Sequence, residues 1–358
     1  MSNQPPWCWF TIGKCNGSNE AAIPGANGSV AQFVFYSGDT PSHSFLGGFA
    51  PRLRKLRLHG IPFPGLPKLL LSAPHLVKIQ LNHIPDSGYF SPDALVTALS
   101  SLTGLRLLIL KFKYSPNLAS RRPSPTRSLL PVLNTLSFEG ASEYLDDFVV
   151  SIDAPRLNDL KILFFHQSVL DTEQFTPFIR RTPMLRAFEK VHIAFQLTGA
   201  AVKLSSPASG YGELEVRIPC EDSNQQLSSL KRFCTSNLPL STAEDVYIHL
   251  NINRISDREE NVLWLELFHL FTNVKNLYLT EEVARHIGPV LDELVGGSTT
   301  EVLPIVQNMF LEELRPVPEG IKKFNAARQL SGQPITVSAI PQGEKDSMWR
   351  WVRGFNGW

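Results

Sequence analysis

The residues that could carry out catalysis are scattered and do not form a recognisable motif. The chain has nine histidines, but it lacks an H-E-x-x-H zinc motif, a G-x-S-x-G nucleophile turn and a phosphate-binding glycine loop. Ser228 and Lys231 match the S-x-x-K spacing of one hydrolase class, yet the companion motifs of that class are absent. We therefore predict a protein that is not an enzyme, with no catalytic residues, no metal site and no cofactor.

The cysteine spacing and the apolar content of the chain indicate where in the cell the protein is located. Cys8 and Cys15, like Cys220 and Cys234, are not spaced as C-x-x-C pairs, so neither pair predicts a zinc site. No apolar run is long enough for a transmembrane helix, and the first residues lack a signal-peptide pattern. These observations predict an intracellular protein, cytoplasmic or nuclear, that does not enter a membrane.

The charged residues are distributed unevenly along the chain. A formal net charge of +1 conceals a net charge of +9 in residues 1–130 and of −8 in residues 131–358. A basic half predicts contact with nucleic acid or an acidic membrane, and an ordinary solvated surface is the alternative interpretation. Because no aromatic-interleaved basic motif accompanies these charges, the pattern does not favour nucleic acid as a partner.

A short apolar skeleton recurs through most of the 358 residues. It consists of an apolar residue, two free positions, a second apolar residue, one free position and a third apolar residue. Ten copies recur at a mean interval of about 28 residues, a period typical of leucine-rich repeats. The copies are Leu53/Leu56/Leu58, Leu76/Ile79/Leu81, Leu105/Leu108/Leu110, Leu133/Leu136/Phe138, Leu157/Leu160/Ile162, Phe188/Val191/Ile193, Tyr211/Leu214/Val216, Ala243/Val246/Ile248, Val274/Leu277/Leu279 and Val306/Met309/Leu311, with an extra copy at Val30/Phe33/Phe35.

The skeleton predicts short strands separated by helices. Its last three positions alternate inward, outward and inward, so one face of each strand is buried. His59 and His83 follow equivalent strands, so we expect their rings to lie close together as structural imidazoles. The helices are predicted to begin at Ser91 (capped, with Pro92 at the first position), Ser142 and Asp171, and to cover residues 261–271 and 289–295.

The regular alternation of strand and helix predicts an α/β fold with a leucine-rich-repeat-like solenoid. Parallel strands would line its concave face, and helices would line its convex face. A compact, doubly wound α/β domain is the alternative.

Three regions follow from the position of the repeats. Residues 45–315 form an array of about ten units, and residues 1–44 form a poorly defined segment before it. Residues 316–358 form a C-terminal cap or tail, in which three of the six tryptophans fall within residues 349–358. These tryptophans predict either a cap on the last repeat or insertion at a partner or membrane interface. Residues 115–128, rich in Pro, Ser and Arg, predict a loop.

Several segments resemble the fungal families of F-box/leucine-rich-repeat proteins. The clearest are residues 56–77 (LRLHGIPFPGLPKLLLSAPHLV), 84–96 (IPDSGYFSPDALV) and 138–149 (FEGASEYLDDFV). The likeness covers roughly residues 45–335 and implies the substrate-recognition part of a receptor in an SCF ubiquitin ligase. In that family an N-terminal F-box docks on a Skp-type adaptor. Residues 1–44 contain no recognisable F-box, so this adaptor is expected only if an F-box exists upstream.

The repeat array predicts a protein-interaction module that binds through the outward positions of its strands. The nine candidate binding residues on the concave face are Lys55, Arg57, Lys78, Gln80, Ile109, Lys111, Ser137, Asp159 and Lys161. Their basic bias predicts a protein partner that is acidic or phosphorylated. The alternative to a ubiquitin-ligase receptor is a free-standing leucine-rich-repeat binding protein with no ubiquitin role.

Overall fold

Two compact α/β units make up the described part of the chain. The computed structural model describes residues 31–35, 52–62, 65–114, 127–165, 172–206, 212–220, 222–250, 258–296, 302–313 and 316–354. Unit 1 contains the described residues up to Phe165 together with residues 172–184, and unit 2 contains those from Leu185 onward. Strands in both units are mostly parallel and are accompanied by helices, so the predicted α/β class is confirmed.

Unit 1 is built on a row of parallel strands. These strands lie side by side in the sheet in the order in which they occur along the chain. They are β1 (Ala31–Phe35), β2 (Leu53–His59), β3 (Lys78–Ile84), β4 (Leu107–Phe112), β6 (Thr135–Gly140) and β8 (Asp159–Phe164). A short separate ladder joins β5 (Ser128–Leu129) to β7 (Ile152–Asp153). The helices are α1 (Leu66–Leu71), α2 (Pro92–Leu99), α3 (Ser142–Val150) and α4 (Phe175–Arg181).

The apolar skeleton forms the core of unit 1. Leu56, Ile79 and Leu108 lie opposite one another across β2, β3 and β4, and each is at most 1% exposed. The Tyr144 ring of α3 lies 4.6 Å from the ring of Phe112, so this helix packs on the skeleton side of the sheet. At the start of α2, the Ser91 hydroxyl accepts a hydrogen bond from the Ala94 amide (3.2 Å), which confirms the predicted cap.

Unit 2 combines parallel strands with an antiparallel meander. Its strands lie in the order β11 (Glu213–Pro219), β10 (Gly199–Ser205), β9 (Lys190–Gln196), β12 (Asp245–Leu250), β13 (Asn276–Leu279), β14 (Asn308–Leu311) and β15 (Thr336–Ala339). Only β10 among these described strands runs antiparallel to its neighbours. The helices are α5 (Ser223–Asn237), α6 (Arg258–Phe268), α7 (Glu281–Glu293), α8 (Glu319–Leu330) and α9 (Gln342–Arg353).

The meander interrupts the predicted succession of repeats. The copy containing Leu214 and Val216 forms β11, but this strand pairs with β10, and β9 pairs directly with β12. Gly199 starts β10 with a φ of +154°, and a Cβ atom there would lie 2.3 Å from the carbonyl oxygen of Ile218. A glycine is therefore required where β10 approaches β11.

The C-terminal segment continues the sheet. Residues 316–354 contain α8, β15 and α9, and β15 pairs in parallel with β14. Helix α8 packs tightly on α7, since a Cβ atom on Gly320 would lie 1.8 Å from the carbonyl oxygen of Gly288. Pro289, predicted to begin a helix, lies inside α7, which starts eight residues earlier at Glu281.

Candidate functional site

All nine predicted binding residues lie in strands of unit 1, on the side opposite the skeleton. They are Lys55 and Arg57 in β2, Lys78 and Gln80 in β3, Ile109 and Lys111 in β4, Ser137 in β6, and Asp159 and Lys161 in β8. The parallel register brings them into rows, with Lys55 opposite Lys78 and Gln80 opposite both Arg57 and Ile109. We call this surface, defined by these nine residues, the unit 1 strand face.

Exposure differs among the residues of the unit 1 strand face. Arg57 and Lys78 are exposed, whereas the ammonium-bearing side chains of Lys55, Lys111 and Lys161 are half-buried. Ser137 is only 7% exposed, because its small side chain lies between the longer ones of Ile109 and Lys161 on the neighbouring strands. The cations at β2 and β3 are therefore the most accessible contact groups of this face, and Ser137 is the least accessible.

On the unit 1 strand face, the lysines of β4 and β8 form ion pairs, whereas the cations of β2 and β3 do not within the described residues. Lys111 lies 3.5 Å from Glu139, and Lys161 lies 3.6 Å from Asp159. Within the described residues, no ion pair is formed by Lys55, Arg57 or Lys78.

The two unpaired lysines at β2 and β3 sit close together. Lys55 lies directly opposite Lys78, on strands spaced about 4.8 Å apart. Like charges opposite each other repel. A carboxylate or phosphate bound between them would remove that repulsion and accept charge-assisted hydrogen bonds.

The two histidines at the ends of β2 and β3 lie together, as predicted. The ring centroids of His59 and His83 are 4.7 Å apart. Burial, then the charges of His83 and Arg57, lower the pKa of His59, which favours its neutral form. In the part of the chain that the structure describes, no three His, Cys, Asp or Glu side chains are grouped to hold a metal ion.

The equivalent positions in unit 2 carry rings instead of cations. His192, Tyr247, Tyr278 and Phe310 stack in succession across β9, β12, β13 and β14, with ring centroids 4.3, 4.2 and 4.6 Å apart. We call these four side chains the aromatic ladder. Together with His249, also on β12, they define the unit 2 strand face. Aromatic rings in stacked contact favour burial, so this face differs chemically from that of unit 1.

Helix α9 covers the unit 2 strand face. Met348 is fully buried in a cluster with Tyr247 and Tyr278. The Trp351 ring lies 5.5 Å from His192, and the Trp349 ring lies 5.5 Å from His249. Strand β9 is consequently covered by α9 on one side and by α6 on the other, where Trp264 of α6 lies 5.4 Å from Phe195 of β9.

Polar contacts fix the first turn of α9 to β9 and β12. The Tyr247 hydroxyl donates a hydrogen bond to Glu344 (2.9 Å), and Lys190 lies 3.6 Å from the other oxygen of this carboxylate. Burial, the neighbouring Tyr278 and the hydrogen bond to Glu344 raise the pKa of Tyr247 far above its usual value, so its hydroxyl stays protonated.

Further polar contacts hold the rest of α9. Glu312, just after β14, accepts a hydrogen bond from the Trp349 indole (3.2 Å) and pairs with Lys345 (3.2 Å). At the other end, the Gln196 amide of β9 donates to the carbonyl oxygen of Val352 (3.3 Å). The contacts of α9 thus extend from the first residue of β9 to its last.

This arrangement was not predicted from the sequence, which assigned the tryptophans of the tail to a cap on the last repeat or to a partner or membrane interface. Two signals in the sequence pointed to it. The outward positions of four unit 2 strands are aromatic, which predicts a second covering layer. Met348, Trp351 and Val352 also fall on one side of a helix.

Comparisons with protein-family models, with curated proteins and with solved structures find no match to this chain. Among the described helices, none combines the length and apolar character needed to cross a membrane. The two strand faces are therefore the features from which a function is inferred.

Proposed function

We propose that the chain is a non-enzymatic protein-interaction module that binds an acidic or phosphorylated protein segment on the unit 1 strand face. The observation that supports this proposal is the alignment of Lys55, Arg57 and Lys78, which have no ion pair within the described residues. Ammonium and guanidinium groups at neighbouring positions suit carboxylates and phosphates. Basic groups also steer acidic partners during association.

We further propose that the repeats form a leucine-rich-repeat-like solenoid with the unit 1 strand face on its concave side. In support, the strands β2, β3, β4, β6 and β8 are adjacent in chain order, and each carries one copy of the skeleton. Repeat arrays use such extended surfaces to bind partners.

The resemblance to F-box/leucine-rich-repeat proteins supports a role as the substrate-recognition part of a receptor in an SCF ubiquitin ligase. The alternative is a free-standing leucine-rich-repeat protein with no ubiquitin role. Either role suits an intracellular location, in the cytoplasm or nucleus. An in-frame F-box in the genomic sequence upstream of Met1 would support the receptor, since that box is what docks on a Skp-type adaptor.

Charge reversal on the unit 1 strand face tests the binding proposal. The double variant Arg57→Glu/Lys78→Glu, immobilised beside the unchanged chain, is used to capture proteins from lysate, and the captured proteins are compared by mass spectrometry. We expect an acidic or phosphorylated partner to be lost from the variant. With that partner purified, its affinity for the variant should fall at least about tenfold, or about 1.4 kcal/mol.

A matched control carries the same change of charge away from the strand face. Lys68 on α1 and Arg156 in the turn before β8 are both exposed, so Lys68→Glu/Arg156→Glu should retain the partner. Equal capture by the unchanged chain and by the strand-face variant would rule out this surface as the binding site.

A further inference from the structure

Two histidines lie beneath α9, where it covers the unit 2 strand face. His249 is 1% exposed and His192 is 9% exposed. Neither ring nitrogen of His249 has a hydrogen-bond partner, and Nδ1 of His192 also lacks one, among the described residues. Both rings contact Trp351 of α9, at 6.5 Å and 5.5 Å between ring centroids. Burial of polar nitrogens without hydrogen-bond partners costs free energy, and here this burial occurs beneath a covering helix.

The charged groups nearest to His192 oppose a positive charge on its ring, and burial opposes one on His249. The titratable groups facing them are Lys190 on β9, Lys203 on β10, Tyr247 on β12 and the other histidine, while α9 presents the indoles of Trp349 and Trp351. The nearby carboxylates are already engaged by cations. Glu344 of α9 lies 3.6 Å and Asp245 of β12 lies 3.9 Å from Lys190, and Glu213 of β11 lies 2.9 Å from Lys203. Glu215 of β11, in register with Lys203, lies 2.6 Å from Arg217. A proton on either ring would therefore meet cations and apolar surface.

We propose that α9 is a detachable cover, held on the unit 2 strand face while His192 and His249 are neutral and released when they are protonated. Release exposes the aromatic ladder to solvent. The proposal does not depend on the function assigned to the unit 1 strand face, since every group that it uses lies in unit 2.

The direction of the pH effect follows from burial. Burial lowers the pKa of both His192 and His249 to about 3, from the usual 6.5. A released α9 lets water reach the rings, which then regain a pKa near 6.5. Between these values the released state binds more protons, so its population rises as the pH falls. The equilibrium constant for covering is the ratio of chains with α9 attached to chains with α9 released. For each ring, it falls about tenfold with each pH unit below 6.5.

For the two rings together, the equilibrium constant for covering falls up to about a thousandfold between pH 7.5 and pH 5.0. Repulsion between the two charged rings in the released state makes the actual fall somewhat smaller, and about a hundredfold is the lower bound that we expect.

Hydrogen exchange of the full-length chain at pH 7.5 and pH 5.0 tests the proposal. After correction for the intrinsic pH dependence of exchange, the protection of peptides covering residues 342–353 should fall at least about a hundredfold at pH 5.0. Peptides from α5 and α7 report on the remainder of unit 2 and should remain more strongly protected at pH 5.0 than residues 342–353. Protection of residues 342–353 that does not change at pH 5.0, or that is lost only together with all protection in α5 and α7, would overturn the proposal.

The double variant His192→Phe/His249→Phe separates protonation from other effects of acid. Phenylalanine keeps the ring packing against Tyr247 and the tryptophans but cannot titrate, so protection of residues 342–353 should be the same at both pH values. A loss as large as that of the unchanged chain would contradict the proposal. If the double variant loses protection in α5 and α7 at pH 7.5, the variants His192→Phe and His249→Phe are measured separately instead. In each of them, the logarithm of the protection of residues 342–353 should change with pH half as steeply as in the unchanged chain.

Discussion

The strand faces of the two units occupy the same positions of the apolar skeleton, but they carry different side chains and differ in whether a helix covers them. In unit 1, the outward positions carry lysines, an arginine, an isoleucine and polar groups, and nearly all of them are exposed or half-buried. In unit 2, the corresponding positions of β9, β12, β13 and β14 carry histidine, tyrosine and phenylalanine, and α9 covers them.

The difference shows how side-chain chemistry at outward strand positions decides whether a sheet is covered on one side or on two. Long basic side chains keep their charged ends in water, so a face built from them is stable when open. A stack of aromatic rings gains free energy only when water is removed, so it requires a covering element. The same backbone pattern therefore supports an open surface in unit 1 and a closed one in unit 2.

The largest effect is expected from the side chain that anchors the cover. Met348→Asp removes a fully buried apolar group and places a carboxylate against Tyr247 and Tyr278. We expect unfolding of unit 2 to require at least about 3 kcal/mol less free energy, because the apolar contact is lost and the charge is poorly solvated. Denaturant unfolding, followed by hydrogen exchange in α5 and α7, measures this loss.

Ser347→Asp is the matched control for this substitution. Ser347 is the preceding residue of α9 and is exposed, and the replacement introduces the same charge. It should change the free energy of unfolding by no more than about 0.5 kcal/mol. Equal destabilisation by the two variants would show that α9 is not packed through Met348.

A much smaller effect is expected from removing an ion pair on the unit 1 strand face. Lys111→Met removes the contact of Lys111 with Glu139, at 3.5 Å, where both side chains retain some exposure. We expect the free energy of unfolding of unit 1 to change by less than about 1 kcal/mol, since exposed ion pairs contribute little. Lys161→Met tests the neighbouring pair with Asp159 in the same way. A loss of several kcal/mol from either variant would show that the unit 1 strand face stabilises the fold and is not simply a solvated contact surface.

The core of both units could be predicted from the sequence because its signal is local. An apolar residue at each skeleton position specifies a strand with one buried face, and Leu56, Ile79 and Leu277 are all buried as expected. Serine followed by proline at Ser91 likewise specified the start of α2, because a hydroxyl cap and a fixed φ act within one turn.

The pairing of the strands and the position of α9 depend on contacts that no local pattern encodes. The skeleton at Leu214 and Val216 predicts a strand, but it does not distinguish a parallel neighbour of β12 from the third strand of a meander. Residues 348–352 predict an apolar stripe on a helix, but the surface it covers includes β9, where Gln196 lies 156 residues before Val352 in the chain. Ser137 shows the same limit at a single position, since its burial depends on the lengths of its neighbours on β4 and β8.

Hydroxyl-radical footprinting of the intact chain at pH 7.5 tests most directly whether the unit 1 strand face is open and the unit 2 strand face closed. The oxidation rate of each side chain is divided by its rate in the unfolded chain, which removes the intrinsic difference between aliphatic and aromatic residues. Ile109 and Leu163 on β4 and β8 are half-buried, so their relative rates should exceed those of the buried Tyr247 and Tyr278 several-fold. Relative rates for the two tyrosines that equal or exceed those of Ile109 and Leu163 would contradict the account.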